Sequence, residues 1–202
     1  MIGTCRNCSN YQWDKRISED GKQVICPKCN HRWNYKSLPL FILTGCSGVG
    51  KTTTAQELQL RETKYIVMDA DIFTFMGEDY SARAEQLLHF SKNLMQGGMP
   101  LMWTMAGALE KLEEAYNRRF FKEIYFLCLV CRDEDLVDRM KHGRGILDER
   151  WIEGSLNHNK YLREHEEIDE IPYEKFDITG KNVEEVADYV NAWVCSKLES
   201  NE

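Results

Sequence analysis

From residue 40 onward, short apolar runs alternate with longer segments whose apolar residues recur at helical spacing. That alternation predicts an α/β chain with buried, parallel strands. Strands are expected at 40–44, 65–71, 99–105, 123–131 and 176–179, and the run Glu123-Ile-Tyr-Phe-Leu-Cys-Leu-Val-Cys131 carries the strongest signal. Helices are expected at 52–60, 81–96, 109–119, 133–140, 148–167 and 183–198. The second of these ends at Gly97-Gly98, and the last has Val186, Val190, Trp193 and Val194 along one side. In the helix 148–167, Trp151, Leu156, Tyr161 and Leu162 are the expected inner residues.

Residues 1–37 follow another pattern. Cys5-x-x-Cys8 and Cys26-Pro-Lys-Cys29 are two C-x-x-C pairs 17 residues apart, the spacing of a zinc ribbon. Each pair can form a tight knuckle, and a Zn²⁺ held by four thiolates replaces the apolar core that so short a segment cannot build. Asp20-Gly21 supplies a hairpin turn. Trp13, Trp33 and Tyr35 can either cover this small core or stack on bases, and His31 is expected outside the metal's ligand shell. The composition shift at Lys36-Ser-Leu-Pro39 divides a ribbon at 1–37 from a main domain at 38–202.

Eight cysteines in 202 residues, without an apolar leader at the N-terminus, point to metal rather than disulfides and to a cytoplasmic setting. No apolar run is long enough to span a bilayer, so no membrane association is expected. The net charge of −7 hides an asymmetry: residues 1–37 hold seven lysines and arginines against three carboxylates. A basic head permits a nucleic-acid or protein partner there and argues against a nucleic-acid track on the acidic body. The third C-x-x-C, Cys128 and Cys131, falls in a strand, where positions i and i+3 face opposite sides. Inert burial is expected for both.

The chemistry centres on Phe41-Ile-Leu-Thr-Gly-Cys-Ser-Gly-Val-Gly-Lys-Thr-Thr-Thr54. Gly45-x-x-x-x-Gly50-Lys51-Thr52 has the spacing of a phosphate-binding loop between a strand and a helix. Backbone N–H groups over Gly45, Ser47, Gly48, Val49, Gly50, Lys51, Thr52 and Thr53 would cradle a nucleotide's phosphates. Lys51 would reach the outer ones, and the Thr52 hydroxyl would ligate Mg²⁺. Asp69 and Asp71 end the next strand, and alternation places both on one side of an extended chain; Asp71 is either a base or a helix cap. Trp103 and Thr104 are either pocket or core. Arg139 and Arg144 are surface arginines or ligands that stack on a purine or fork onto phosphate.

These residues resemble the small P-loop kinases of the nucleoside, shikimate and gluconate kinase group, over about residues 40–196. The resemblance is carried by the loop, by Met68-Asp-Ala-Asp-Ile-Phe73, by Leu136-Val-Asp-Arg-Met-Lys-His-Gly-Arg-Gly145 and by Phe176-Asp-Ile-Thr-Gly-Lys-Asn-Val-Glu-Glu-Val186. It implies a P-loop NTPase three-layer sandwich around a five-stranded parallel sheet in the order 2-3-1-4-5. The implied activity moves the γ-phosphate of ATP to a small-molecule hydroxyl, a nucleoside being one candidate. The resemblance further implies that Asp69 assists Mg²⁺, that Asp71 binds or deprotonates the acceptor, that Arg139 packs on adenine and that Arg144 touches the transferring phosphate. Lys51, Asp71 and Arg144 are then the catalytic set. No Gly-Phe-Pro-Arg motif follows the third strand, which argues against an AMP-type acceptor. The lid segment also lacks the Arg-Pro-Leu-Leu run of shikimate kinases. A ribbon-targeted NTPase or kinase acting on nucleic-acid ends or a protein is the alternative, and the acceptor and oligomeric state stay open.

Overall fold

The structure is a computed structural model that describes residues 2–12, 14–77 and 79–200. Trp13, one of the aromatic residues singled out above, lies outside them. Strands β1 (Arg16–Ile17), β2 (Gln23–Ile25) and β3 (Arg32–Asn34) form a small antiparallel sheet in that order. The expected hairpin is present: the Asp20 carboxylate accepts from the Ser18 hydroxyl (2.5 Å) and the Lys22 N–H (3.1 Å), and Gly21 takes the left-handed conformation at φ 69°.

The main sheet starts with β4 (Leu40–Gly45), which runs into the loop and helix α1 (Lys51–Gln59). Then come β5 (Ile66–Asp69), α2 (Tyr80–Leu94), β6 (Leu101–Thr104), α3 (Glu110–Glu114), β7 (Ile124–Val130), α4 (Asp133–Asp138) and α5 (Glu149–Glu164). A two-stranded hairpin, β8 (Glu167–Ile168) and β9 (Ile171–Pro172), precedes β10 (Glu174–Asp177) and α6 (Val183–Glu199). The five long strands are parallel in the order β10-β7-β4-β6-β5, which is 2-3-1-4-5 counted from β4.

Alternation along β4 feeds two cores. Phe41 and Leu43 join α1, α6 and Trp193 on one face, while Leu40 and Ile42 join Leu87 and Leu88 of α2 on the other. Cys128 belongs to the second core and Cys131 to the first, so the two thiols sit on opposite sides. Burial pushes them up to about 12 and about 11, which keeps both protonated. Trp103 is core and not pocket: it is 0% exposed, and its indole N–H donates to the Ser91 hydroxyl on α2 at 2.9 Å.

The ribbon does not hang free of the body. Ile2 and Val24 are buried in the same core as Leu112, Phe120 and Trp103, and Ile17, Trp33 and Tyr35 pack against it. Tyr35 meets Phe120 edge-on at 5.9 Å, and Lys36 and Gln96 exchange two hydrogen bonds. Trp33 and Tyr35, both half-buried, therefore help to cover a core.

Four segments depart from the hydrophobic pattern. The strand expected at 65–71 stops at Asp69, whose carboxylate accepts the Asp71 N–H at 3.0 Å and starts a 3₁₀ turn over Ala70–Met76. The helix expected at 109–119 breaks at Ala115, because the Glu85 carboxylate draws in the N–H groups of Tyr116 and Asn117. The helix at 133–140 widens into a π turn, Arg139–Gly143. The helix at 148–167 ends at Glu164, after which Asp169 and Glu170, both at positive φ, turn the β8–β9 hairpin without a glycine to announce it.

Candidate active site

The loop between β4 and α1 faces a cavity of about 800 Å³, a size that accepts a nucleotide with a small second ligand. Close packing sets the loop's shape. A Cβ on Gly45, at φ 140°, would lie 2.6 Å from the Leu129 carbonyl oxygen, and one on Gly48, at φ 83°, would lie 2.5 Å from Met140 Cγ. Gly50 begins α1 without a side-chain cap, so the first-turn N–H groups keep no partner from that residue and carry the helix's positive end into the cavity.

Lys51 folds back across this loop. Its Nζ donates to the carbonyls of Gly45 and Cys46, each at 2.8 Å, which leaves one of three ammonium donors for a phosphate. Burial lowers its affinity for the proton, and Asp69 and Asp71 oppose that effect. The Thr52 hydroxyl donates to Asp69 Oδ2 at 3.0 Å. Two oxygens at that separation fit adjacent corners of an octahedron with metal–oxygen bonds of about 2.0–2.1 Å, whose edge is about 2.9 Å. Ser47, Gly48, Val49, Thr52, Thr53, Asp69 and Asp71 all line the cavity, while Gly45 lies behind the loop and acts through its carbonyl. Asp71 reaches the cavity from the 3₁₀ turn, so the extended-strand argument for pairing it with Asp69 does not hold.

The cavity's other wall comes from distant segments. Arg139 Nη1 donates to the Val49 carbonyl (3.0 Å) and Nη2 to the Ile178 carbonyl (3.3 Å), tying the π turn to the loop and to the chain after β10. Arg144 is exposed, and its guanidinium lies 6.0 Å from the Trp151 ring. Trp151 itself is not an inner residue of α5: it is 48% exposed, lines the cavity and donates from its indole to the Ser47 hydroxyl at 3.2 Å. Thr104, Met105 and Ala106 at the end of β6 also line it, and the buried Thr104 hydroxyl has no hydrogen-bond partner among the described residues. Lys181, Asn182 and Val183 complete the wall. Their only sequence signal was membership of the segment after the last strand.

A second donor set lies in the ribbon. The sulfurs of Cys5, Cys8, Cys26 and Cys29 all lie within 4.8 Å of one another, with 3.6 Å between Cys5 and Cys29 and 3.7 Å between Cys8 and Cys26. Zn–S bonds of about 2.3 Å in a tetrahedron give an edge of about 3.8 Å, so the four thiols fit Zn²⁺. The His31 backbone N–H and the Asn7 amide hold Cys29 down at about 6, favouring its thiolate. Cys8 accepts from the Asn10 backbone, yet burial and the three neighbouring sulfurs push it up to about 12, as expected where uncompensated thiols share a small space. His31 stacks on Trp33 at 5.9 Å and is not part of the sulfur cluster.

Among the described residues, no helix is long and apolar enough to cross a membrane. No protein-family model matches the chain, and no curated protein matches it in sequence. Solved structures do match in fold. A gluconokinase from Sinorhizobium meliloti 1021 is 13% identical with a TM-score of 0.57, covering 80% of this chain and 94% of its own. A sugar kinase from Janibacter sp. HTCC2649 is 18% identical with a TM-score of 0.57, covering 79% and 95%. Shikimate kinase from Acinetobacter baumannii, solved with shikimate, is 17% identical with a TM-score of 0.50, covering 80% and 95%. The chain thus has the fold of the small P-loop kinases, with a four-cysteine ribbon at its front.

Proposed function

We propose that the chain is an ATP-dependent phosphotransferase that moves the γ-phosphate to the hydroxyl of a small molecule. The observation that carries this reading is the Thr52–Asp69 pair at 3.0 Å, with Asp71 on the same cavity and the lysine-bearing loop beside it. In this reading Ser47–Thr53 holds the phosphates with Gly45 behind them positioning Lys51, Lys51 and Arg144 neutralise the charge that builds on the transferring group, and Thr52 with Asp69 holds Mg²⁺. The bound metal supplies further charge neutralisation at the phosphate oxygens. Arg139, Lys181 and Val183 form the base side. Asp71 takes the acceptor's hydroxyl proton as its oxygen bonds to the γ-phosphorus, the β–γ bridge breaks, and ADP leaves.

The ribbon at 1–37, with a structural Zn²⁺ on its four cysteines, and the kinase domain at 38–202 are the two working parts. The test is a phosphorylation screen with labelled ATP across nucleosides, sugars, hydroxy acids and oligonucleotide ends. At least one free acceptor becomes labelled, and Lys51→Ala abolishes the labelling in a folded protein. Labelling that survives Lys51→Ala refutes the assignment. One observation favours a second reading, in which the ribbon recruits a polyanion: Arg6, Arg16, Lys22, Lys28, Arg32 and Lys36 are all exposed. A salt-dependent shift of an oligonucleotide, with labelling of its end, supports that reading over the first.

A further inference from the structure

A second cavity, of about 250 Å³, opens at the seam where the ribbon meets α2. Ile2, Gly3, Thr4, Tyr11 and Lys15 line it from the ribbon, and His89, Lys92 and Asn93 from the helix. Two lysines in its wall are almost wholly removed from water, Lys15 at 1% exposed and Lys92 at 3%. Among the described residues their hydrogen-bond partners are neutral. Lys92 Nζ donates to Asn117 Oδ1 at 2.6 Å and lies 4.3 Å from the centre of the Phe120 ring. Lys15 Nζ donates to Asn10 Oδ1 at 2.6 Å and to the Gln12 carbonyl. Among the described residues neither forms an ion pair.

A third cation joins them. Arg119 donates to the Lys15 carbonyl at 3.0 Å and to the Tyr116 carbonyl, and among the described residues it forms no ion pair, although Glu85 and Asp14 act on it from a distance. Two carboxylates face this group without meeting it. Glu85 is spent on Tyr116 N–H, Asn117 N–H and the Asn117 amide, and the buried Asp14 Oδ1 has no hydrogen-bond partner among the described residues. Burial first, and repulsion from Arg119 second, pull Lys92 down to about 8. A buried ammonium with neutral partners alone is costly, and the usual compensation is a counter-charge. Three donors per ammonium leave two on Lys92 and one on Lys15.

We propose that this seam cavity is an anion site that takes a phosphate group, either as orthophosphate or as the monoester of a small molecule. The site is separate from the phosphate loop and does not depend on the phosphotransferase reading. Its spare donors come from both the ribbon and α2, so the bound anion bridges the two.

The test is calorimetric titration of the zinc-loaded full chain in the Lys51→Ala background, which weakens the loop's own affinity, so that the seam is read from the difference Lys92 makes. Orthophosphate and glycerol phosphate are the two probes, and the tighter one identifies the source of the group. Saturable binding is expected, weakened about tenfold or more by adding Lys92→Met and restored by Lys92→Arg. No saturable binding of either probe, or equal binding with Lys92→Met, overturns the proposal.

Discussion

Asp69 carries two duties that one pair of substitutions can separate. Its Oδ1 accepts the Asp71 N–H and caps the 3₁₀ turn, while its Oδ2 accepts from the Thr52 hydroxyl where the metal is proposed to bind. Asp69→Asn keeps an oxygen for the cap, since asparagine caps about as well as aspartate, but it removes the charge. Asp69→Ala removes both, and loss of the cap costs about 1 kcal/mol. In a chain of this size that lowers Tm by about 2–4 °C. Both variants lose a charged group that acts on the reacting phosphates, for which a fall in turnover of about 100- to 1000-fold is the expected scale. The assay is ADP release with a labelled acceptor across a Mg²⁺ titration, paired with thermal unfolding of the nucleotide-free protein. The expected pattern is two equally impaired enzymes, of which only Asp69→Ala is less stable. Normal turnover by Asp69→Asn at every Mg²⁺ concentration would refute the metal role, and equal stability of the two variants would refute the cap.

Asp71→Asn should stop phosphoryl transfer while ATP affinity, measured by calorimetry, stays close to that of the unaltered chain; a large loss of ATP binding would move Asp71 to the metal. Trp103→Phe should cost about 1 kcal/mol through loss of the indole N–H bond to Ser91, whose hydroxyl keeps its own bond to the Leu87 carbonyl, and leave acceptor KM unchanged. A raised KM with unchanged stability would return Trp103 to the pocket. Elemental analysis should find one zinc per chain, and Cys26→Ser should lose it; a folded, metal-free ribbon would contradict the four-sulfur assignment.

The parts of the site legible in the sequence were those written locally. The loop glycines, Lys51 and Thr52 sit within one strand–turn–helix unit, and the 2-3-1-4-5 order followed from the family that this motif and the Asp69 to Asp71 segment resemble. What stayed hidden depends on contacts between distant segments. Trp151 has the spacing of an inner helical residue, yet Ser47, 104 positions away, holds its indole at the cavity. The break at Ala115 depends on Glu85, 31 positions before the N–H that it captures at Tyr116. Apolar periodicity sees neither, because it records which side of a helix is buried and not which partner arrives there. The docking of Val24 and Ile2 into the main core was equally hidden, since a short metal-centred segment reads as self-sufficient.

That docking makes the ribbon's metal a reporter on the whole chain. Val24 lies two positions before Cys26 and is wholly buried beside residues of the main sheet, so release of a proposed Zn²⁺ strips cover from the face that carries α2 and α3. Zinc affinity and global stability are then reciprocal. Whatever tightens the main sheet, a nucleotide included, slows loss of the metal, and a chelator lowers the melting temperature of a sheet that it never touches.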